Sequence, residues 1–276
     1  MDPTVVLKGV LPPIGAALLL VTLAGARLLP LAAAAGLLVA YGLLKAWPAP
    51  PHVLWSSPNG VEWLLWAVAA AAVVSVLEHV RLLRGGTALL ASLALAPASV
   101  WLVLQKVAGG WSAADAWLQV AGGGAAVALA VAGHRVVLAR APAGWFPAAI
   151  FAVVLSVDAI VLTLGRSALL GQLCGAVAAA LGAGIGTALW RRSFTLATAD
   201  GTWLGIAHGL FVLAGVHLAM VPWPAAGALL VAPPAMLLLR SGLGQARPMA
   251  WAVGAAVLAS IPLAGAVWFV LAASDG

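Results

Sequence analysis

Long apolar runs alternate with short polar or glycine- and proline-rich segments along the whole chain. Each run is continuously apolar for about 15 to 25 residues, a length that spans a bilayer as an α-helix. The runs do not alternate between apolar and polar positions with a period of two, which excludes a transmembrane β-barrel. The pattern therefore predicts an all-α, polytopic transmembrane helical bundle, in which residues 1–276 form a single integral membrane domain.

The polar interruptions divide the chain into about ten predicted spans, with nine as the alternative count. Prolines and glycines in the segment 45–60 predict an extended surface loop, the most polar connection of the chain. The predicted spans are 10–25, 30–44, 61–83, 87–107, 117–138, 145–167, 168–190, 202–220, a ninth that ends at 239, and 248–272.

Composition supports the membrane assignment. The chain is 64% apolar and 7% charged, with a mean hydropathy of +1.14, whereas soluble domains contain about 25% charged residues. The net charge of +6 does not indicate nucleic-acid binding, because the Lys and Arg residues lie between apolar runs. Cys174 is the one cysteine, so the sequence offers no disulfide framework and no cysteine cluster for zinc or iron–sulfur binding.

Basic residues predict the orientation, because cytoplasmic loops hold an excess of Lys and Arg. With the N-terminus outside, the outer ends hold only Lys8, Lys45, Lys106 and Arg166. The inner turns then hold Arg27, Arg81, Arg84, Arg135, Arg140, Arg191, Arg192, Arg240 and Arg247. This asymmetry predicts an N-out/C-out protein of the inner cell membrane.

Tryptophans are expected to form two belts at the membrane interfaces. An aromatic-lined outer vestibule, formed by the loops after the second and fourth spans, is the alternative interpretation. The outer belt is predicted from Trp47, Trp55, Trp63, Trp66, Trp111, Trp117, Trp223 and Trp268, and the inner one from Trp145, Trp190, Trp203 and Trp251.

One carboxylate, Asp158, lies within the sixth predicted span. Counting about 1.5 Å per residue from Trp145 places it roughly 20 Å into the span. A lone acid at that depth is expensive unless it is paired, hydrated or protonated, so a functional role is the first hypothesis. Counting along the neighbouring spans places His217 and Gln172 at a similar depth. Asp158, His217 and Gln172 are therefore predicted to form a proton relay or to coordinate a cation, and a protonated Asp158 that only bonds a neighbouring helix is the alternative.

A second polar group is predicted on the inner side, formed by Glu78, His79, His134, Arg135 and His208. The Glu and Arg side chains are able to pair, which leaves histidine as a titrating group; an interfacial charge belt is the simpler interpretation. Haem bound between two of the histidines is a further, weaker hypothesis. No metal site is predicted, because His208 and His217 are nine residues apart and lie on opposite helix faces.

Two kinds of residue predict how the helices pack. Gly171, Gly175, Gly182 and Gly186 share one face of the seventh span and predict a close-approach seam. Pro97, Pro233 and Pro234 lie within spans and predict helix breaks, which line cavities in many transporters. The alternative for these prolines is the general frequency of proline in membrane helices.

The stretch from Gly171-Gln172-Leu173 to Leu189-Trp190-Arg191-Arg192 resembles one helix of drug/metabolite-transporter (EamA-type) proteins, which also have ten spans. The resemblance covers less than a tenth of the chain. It falls on the seventh predicted span rather than the sixth, leaves three spans after it where the family has four, and occurs with a different N-terminal orientation. The chain is therefore not assigned to that family.

The leading functional hypothesis is transport of a small solute or ion with Asp158 as the intramembrane coupling group. The alternatives are a non-catalytic membrane subunit that packs against partner proteins or cofactors, and an enzyme that acts on a lipid-linked substrate. The sequence contains no phosphate loop, nucleophile elbow or HExxH motif, which favours a protein that is not an enzyme. Expected partners are membrane lipids, a small solute or ion, and another membrane protein, but not nucleic acid.

Overall fold

The computed structural model describes residues 3–56, 59–191, 195–240 and 242–274, among which no strand occurs. Short 3₁₀ segments lie at Ala26–Leu28 and Met236–Leu238. In chain order the α-helices are α1 (Pro3–Ala24), α2 (Leu29–Leu44), α3 (Pro51–Leu54), α4 (Gly60–His79), α5 (Gly85–Ala108), α6 (Ala113–Arg140), α7 (Phe146–Leu164), α8 (Ala168–Arg191), α9 (Asp200–Ala219), α10 (Trp223–Ala235), α11 (Leu243–Ala246) and α12 (Pro248–Ser274).

Eight described helical segments are long and apolar enough to cross a membrane. These belong to α2 with the turn before it, α4, α5, α6, α7, α8, α9 and α12. Two shorter apolar segments, Leu7–Leu23 in α1 and Trp223–Leu238 at α10, coincide with the first and ninth predicted spans. The multi-pass, all-α prediction is thus confirmed, with eight candidate spans rather than about ten.

Residues at the helix ends explain several boundaries. The Asn59 side chain accepts hydrogen bonds from the backbone N–H groups of Val61 and Glu62 and so caps α4. Ser112 caps α6 in the same way by accepting from the N–H of Asp115. These caps satisfy backbone donors that have no partner within the helix.

The long helices alternate in direction, so the bundle has two ends. Glu62 lies in the first turn of α4 and Glu78 in its last, about 24 Å further along the helix. We name these the Glu62 end and the Glu78 end. Arg135, late in α6, pairs with Glu78, while Asp200, the first residue of α9, pairs with His79. Both the last turns of α6 and the start of α9 therefore lie at the Glu78 end.

Helix α9 is the centre of the bundle and the most deeply buried of the eight candidate spans. It packs against α4, α5, α6, α7, α8 and α10. Three glycines face α6, and a Cβ added to Gly201, Gly205 or Gly209 would lie 2.6, 2.5 or 3.1 Å from the nearest α6 atom. Helix α9 thus lies close to α6 along three turns, because only glycine leaves room for the α6 backbone there.

The seam predicted on α8 is present only in part. A Cβ added to Gly171 would meet the Ala159 carbonyl oxygen of α7 at 2.7 Å, whereas one on Gly175 would make an ordinary contact at 3.8 Å. Gly182 and Gly186 are exposed and have nothing within 4 Å of an added Cβ. The spacing places all four glycines near one helix face, but it does not say along how much of its length a neighbour covers that face.

The prolines also differ from expectation. Helix α5 runs without interruption through Pro97, which packs against Gly124 of α6 so closely that a Cβ added to that glycine would lie 2.9 Å from the Pro97 Cβ. Pro233 and Pro234 lie in the last turn of α10 and are followed by a 3₁₀ turn. A break therefore follows α10, whereas the predicted break at Pro97 is not present.

The predicted tryptophan belts are incomplete, because some of these side chains are buried between helices. Trp203, Trp251 and Trp63 are buried in the bundle, with exposed fractions of 0%, 3% and 4%. These side chains pack between helices and do not mark an interface. Other tryptophans keep the exposure expected of belt residues, among them Trp47, Trp55, Trp117, Trp190, Trp223 and Trp268.

Candidate functional site

Asp158 lies on α7 near the middle of the bundle and is completely buried. Its Oδ2 atom is 3.4 Å from Nε2 of His208 on α9. Neither carboxyl oxygen forms a hydrogen bond with the described part of the chain. Buried polar groups normally have hydrogen-bond partners, so an acid left in this state needs an explanation.

Two histidines from different helices meet beside this acid. The rings of His208 and His134 are 5.1 Å apart between centroids and tilted by 54°. Nδ1 of His134 donates a hydrogen bond of 2.6 Å to the Ala130 carbonyl on α6, and its ring stacks on Phe151 of α7 at 5.0 Å. Helices α6, α7 and α9 thus place two imidazoles and one carboxyl group in the buried centre of the bundle. We name Asp158, His208 and His134 the central group.

The partner of Asp158 is therefore His208 and not the predicted His217. His217 lies nine residues further along α9, about 13 Å in a helix. Its ring contacts Trp111 and Trp223, at centroid distances of 5.3 and 5.6 Å. The depth estimate counted from Trp203 as an interfacial residue, whereas Trp203 is completely buried in the bundle.

Gln172 is also separated from the predicted group. It lines a cavity of about 380 Å³ together with Gly9 of α1 and Thr163 of α7. Within the described contacts, none joins Gln172 to Asp158. What α8 contributes beside the acid is Cys174, whose Sγ donates to the Leu155 carbonyl of α7 at 3.4 Å.

The Glu78 end contains the predicted pair of Glu and Arg. Arg135 binds Glu78 through two parallel hydrogen bonds of 2.6 and 2.7 Å. The same guanidinium donates to Thr202 Oγ1 of α9 at 2.9 Å, and that hydroxyl is 3.0 Å from Ser92 Oγ of α5. One arginine therefore connects α4, α6 and α9, in the bidentate geometry that makes such pairs strong.

Asp200 forms a second connection at this end, and sequence reasoning missed it. Its Oδ1 atom is 3.0 Å from Nε2 of His79, and its Oδ2 atom accepts from the Ala197 N–H at 2.7 Å. Ser75 of α4 donates to the Ala199 carbonyl at 2.9 Å. An acid in the first turn of a helix ordinarily suggests only a favourable interaction with the helix dipole, so no signal in the sequence singled out Asp200.

The central group and the Glu78 end are joined along two helices. His134 and Arg135 are consecutive on α6. His208 and Thr202 are six residues apart on α9, a rise of about 9 Å. Polar side chains therefore follow the contact of α6 with α9 from the centre of the bundle to the Glu78 end.

Two of the three histidines considered for haem binding, His134 and His208, do not face each other across an open space. The rings of His134 and His208 contact each other directly, so there is no space between them for a porphyrin. His79 interacts with Asp200. In the part of the chain that the structure describes, no three His, Cys, Asp or Glu side chains are grouped to hold a metal ion.

Several cavities lie around the bundle without reaching the central group. They have volumes of about 440 Å³ at the Glu62 end, 250 Å³ between α7 and α12, 210 Å³ between α6, α9 and α10, 380 Å³ beside Gln172, and 190 Å³ near Arg166. Asp158, His208 and His134 line none of these five. The central group is thus sealed from them in this conformation.

No protein-family model, curated protein or solved structure matches the chain.

Proposed function

We propose that this multi-pass protein moves a small solute or ion across the inner cell membrane, with Asp158 as the coupling group and His208 as its partner. The observation that carries the proposal is the contact of 3.4 Å between Asp158 and His208, two fully buried titratable side chains on different helices. Ionisable groups inside a membrane are expensive to place, and they mark proton relays and ion pathways.

The chemistry of the central group favours a proton as the coupling ion over a metal cation. Sodium-like and alkaline-earth cations take several oxygen ligands, whereas the neighbours of Asp158 offer imidazole nitrogens. Helix α7 is continuous through Asp158, so its backbone carbonyls are engaged in the helix. Imidazole and carboxyl groups both bind and release protons, and histidine does so near neutral pH.

The polar side chains between the central group and the Glu78 end suggest the proton route. His134 lies next in sequence to Arg135, whose guanidinium contacts both Glu78 and Thr202. The ion pairs close this end in the present conformation. Transport would require these ion pairs to separate while the protonation state of Asp158 and His208 changes.

Charge suggests which end faces the cytoplasm. The Glu78 end holds most of the arginines, whereas Lys8, Lys45, Lys106 and Arg166 lie at the Glu62 end. The positive-inside rule then places the Glu78 end inside. If the shorter helices α1 and α10 also cross, ten spans put both termini outside. Arg192, which contributed to the predicted asymmetry, lies outside the described residues.

A non-catalytic membrane subunit is the second candidate, and the sealed centre favours it. Asp158 would then be a neutral acid confined between helices, with no passage leading to it. An enzyme for lipid-linked substrates has less support, because Asp158, His208 and His134 line none of the five cavities.

The two candidates differ in whether the centre ever opens. The test uses the full-length protein with Cys174→Ala as background and one new cysteine, Ala130→Cys, whose own carbonyl accepts the hydrogen bond from His134. Labelling by a membrane-impermeant maleimide is measured between about pH 5 and pH 8, the range in which histidine titrates. Because maleimide reacts with the thiolate, labelling is expressed relative to that of free cysteine at the same pH. Transport predicts a relative labelling that depends on pH and loses this dependence in Asp158→Asn.

Asp115→Asn is the matched control, because Asp115 is an exposed acid on the same helix as Ala130. It should leave the pH dependence unchanged. A cysteine at position 130 that stays unreactive at every pH would contradict transport and favour the subunit.

A further inference from the structure

The largest of the five cavities lies at the Glu62 end, far from the central group. Its volume of about 440 Å³ is that of a small-molecule site, since ligand pockets occupy roughly 300–1,000 Å³. The lining comes from the loop after α2, the start of α4, Lys106 near the end of α5, and Leu218 of α9. It corresponds to the place where the sequence predicted a vestibule, but its lining is not aromatic.

Glu62 is held in this wall by three donors. Its Oε1 atom accepts from the Tyr41 hydroxyl at 3.1 Å and from Nδ2 of Asn59 at 3.0 Å. Its Oε2 atom accepts from the Ala49 N–H at 2.8 Å. A carboxylate has about four acceptor sites, so a cationic group in the cavity still has an acceptor available on Glu62.

Lys106 supplies the opposite charge in the same wall. Lys106 and Glu62 line one cavity, yet the ion pairs within 4.0 Å in the described part of the chain join other residues. A fixed acidic residue and a lysine therefore line a common space without forming an ion pair with each other. A ligand with only one charge would use only one of them.

Contacts within the protein hold the cavity wall in place. Nε1 of Trp66 donates to the Ala49 carbonyl at 2.9 Å and so holds the loop after α2 against α4. The start of α4 lies against α5 at Gly60, where an added Cβ would be only 2.5 Å from the Val103 carbonyl oxygen. A preformed pocket with a few well-placed polar groups is the usual form of a small-molecule site.

We propose that this cavity binds a small zwitterion, with its ammonium group at Glu62 and its carboxylate or phosphate group at Lys106. The ligand is either a free amino-acid-like solute or the headgroup of a zwitterionic phospholipid. Both have one ammonium group and one acidic group. Binding at this site goes beyond the transport proposal and does not depend on it.

The test measures binding to the full-length protein in nanodiscs of phosphatidylglycerol, which has no zwitterionic headgroup. Isothermal titration is performed with glycine, β-alanine, 4-aminobutyrate and phosphorylethanolamine, and with ethanolamine and acetate as singly charged probes. At least one zwitterion should bind and both singly charged probes should bind at least tenfold more weakly. Lys106→Gln and Glu62→Gln should each weaken the zwitterion at least tenfold.

Lys45→Gln is the matched control, because Lys45 is exposed at the same end but does not line the cavity. It should leave binding unchanged. Lys106 is exposed, so its substitution tests the site even if Glu62→Gln fails to fold. The proposal is overturned if no zwitterion binds, if acetate or ethanolamine binds equally well, or if the two lysine variants behave alike.

A second set of nanodiscs containing phosphatidylethanolamine separates the two sources. Weaker binding of phosphorylethanolamine there means that the lipid headgroup competes for the cavity, and unchanged binding identifies a free solute. If no free zwitterion binds in either set of nanodiscs, the proposal fails. Because no transport is measured, such a failure leaves the role of Asp158 untouched.

Discussion

The two ends of the bundle are built differently. At the Glu78 end, Arg135 and Asp200 connect helices distant in sequence, and their ionic partners are buried or nearly so. At the Glu62 end, Glu62 binds residues of the adjacent loop and α2, while Lys106 faces a cavity. The first end is closed by contacts across the bundle, whereas the second is shaped by contacts close in sequence and stays open.

The distance between α9 and α6 also differs between the two ends of the bundle. An added Cβ would be 2.6 Å from α6 at Gly201 and 2.5 Å at Gly205, but 3.1 Å at Gly209. Beyond Gly209, toward the Glu62 end, a cavity of about 210 Å³ lies between α6, α9 and α10. The helices are thus most closely packed where the ion pairs lie. We therefore expect any movement of α6 relative to α9 to be most restricted at the Glu78 end.

The largest effect is expected from Arg135→Ala. This change leaves Glu78 without its cation in a site that is only 16% exposed, and removing one partner of a buried pair costs about 3–5 kcal/mol. The free energy of unfolding in mild detergent measures the loss. Arg140→Ala, an exposed arginine on the same helix, should change it by less than about 0.5 kcal/mol. Equal effects of the two changes would mean that the Glu78 end is not fixed by this pair.

The next largest effect concerns the packing of α9. Gly205→Ala places a methyl group 2.5 Å from the Val131 Cα, and such overpacking costs about 1–3 kcal/mol. Gly209→Ala should cost less, because Val127 is further away. Gly182→Ala on α8 meets nothing within 4 Å and should be neutral or stabilise by up to about 1 kcal/mol, since alanine favours helix. Chemical denaturation of the three variants gives the order, and the reverse order for Gly205 and Gly209 would contradict the gradient.

A smaller effect is expected at the Glu62 end. Tyr41→Phe removes one of three donors to Glu62, and a typical hydrogen bond contributes about 1 kcal/mol. Thermal unfolding should therefore show a loss well below that of Arg135→Ala. Ser56→Ala, which removes an exposed hydrogen bond within the loop, is the control and should have little effect. A loss from Tyr41→Phe as large as that from Arg135→Ala would show that both ends are equally fixed.

The smallest effect on stability is expected from Asp158→Asn. Neither oxygen of this acid forms a hydrogen bond with the described residues, and polar contacts between membrane helices contribute only about 0.6–2 kcal/mol. The unfolding free energy should change by less than about 1 kcal/mol, while any pH-coupled activity is lost, because an amide carries no titrating proton. A large destabilisation would instead make Asp158 a structural residue.

The helices could be predicted from the sequence because apolar length and helix-capping residues determine them locally. Predicted spans 145–167 and 168–190 correspond to α7 (Phe146–Leu164) and α8 (Ala168–Arg191). The pairing of Glu78 with Arg135 was also foreseen, because both residues are charged and close to span ends. These features depend on the sequence alone or on depth in the membrane.

Contacts between helices were harder to predict, because they depend on how far each helix is shifted along its axis. His208 meets Asp158, whereas His217 lies beside Trp111 and Trp223. Glycine spacing likewise identifies a face without naming its neighbour. The site around Glu62 was missed even though Asn59 and Glu62 have the spacing of a helix-capping pair.

The burial of α9 also bears on how the protein is made. This helix contains Asp200, His208 and His217, which disfavour insertion of an isolated span into lipid. Most of its neighbours, from α4 to α8, precede it in the chain, and only α10 follows. During synthesis α9 thus leaves the ribosome after most of the helices that cover it, whereas Trp223, which packs on His217, follows later in α10.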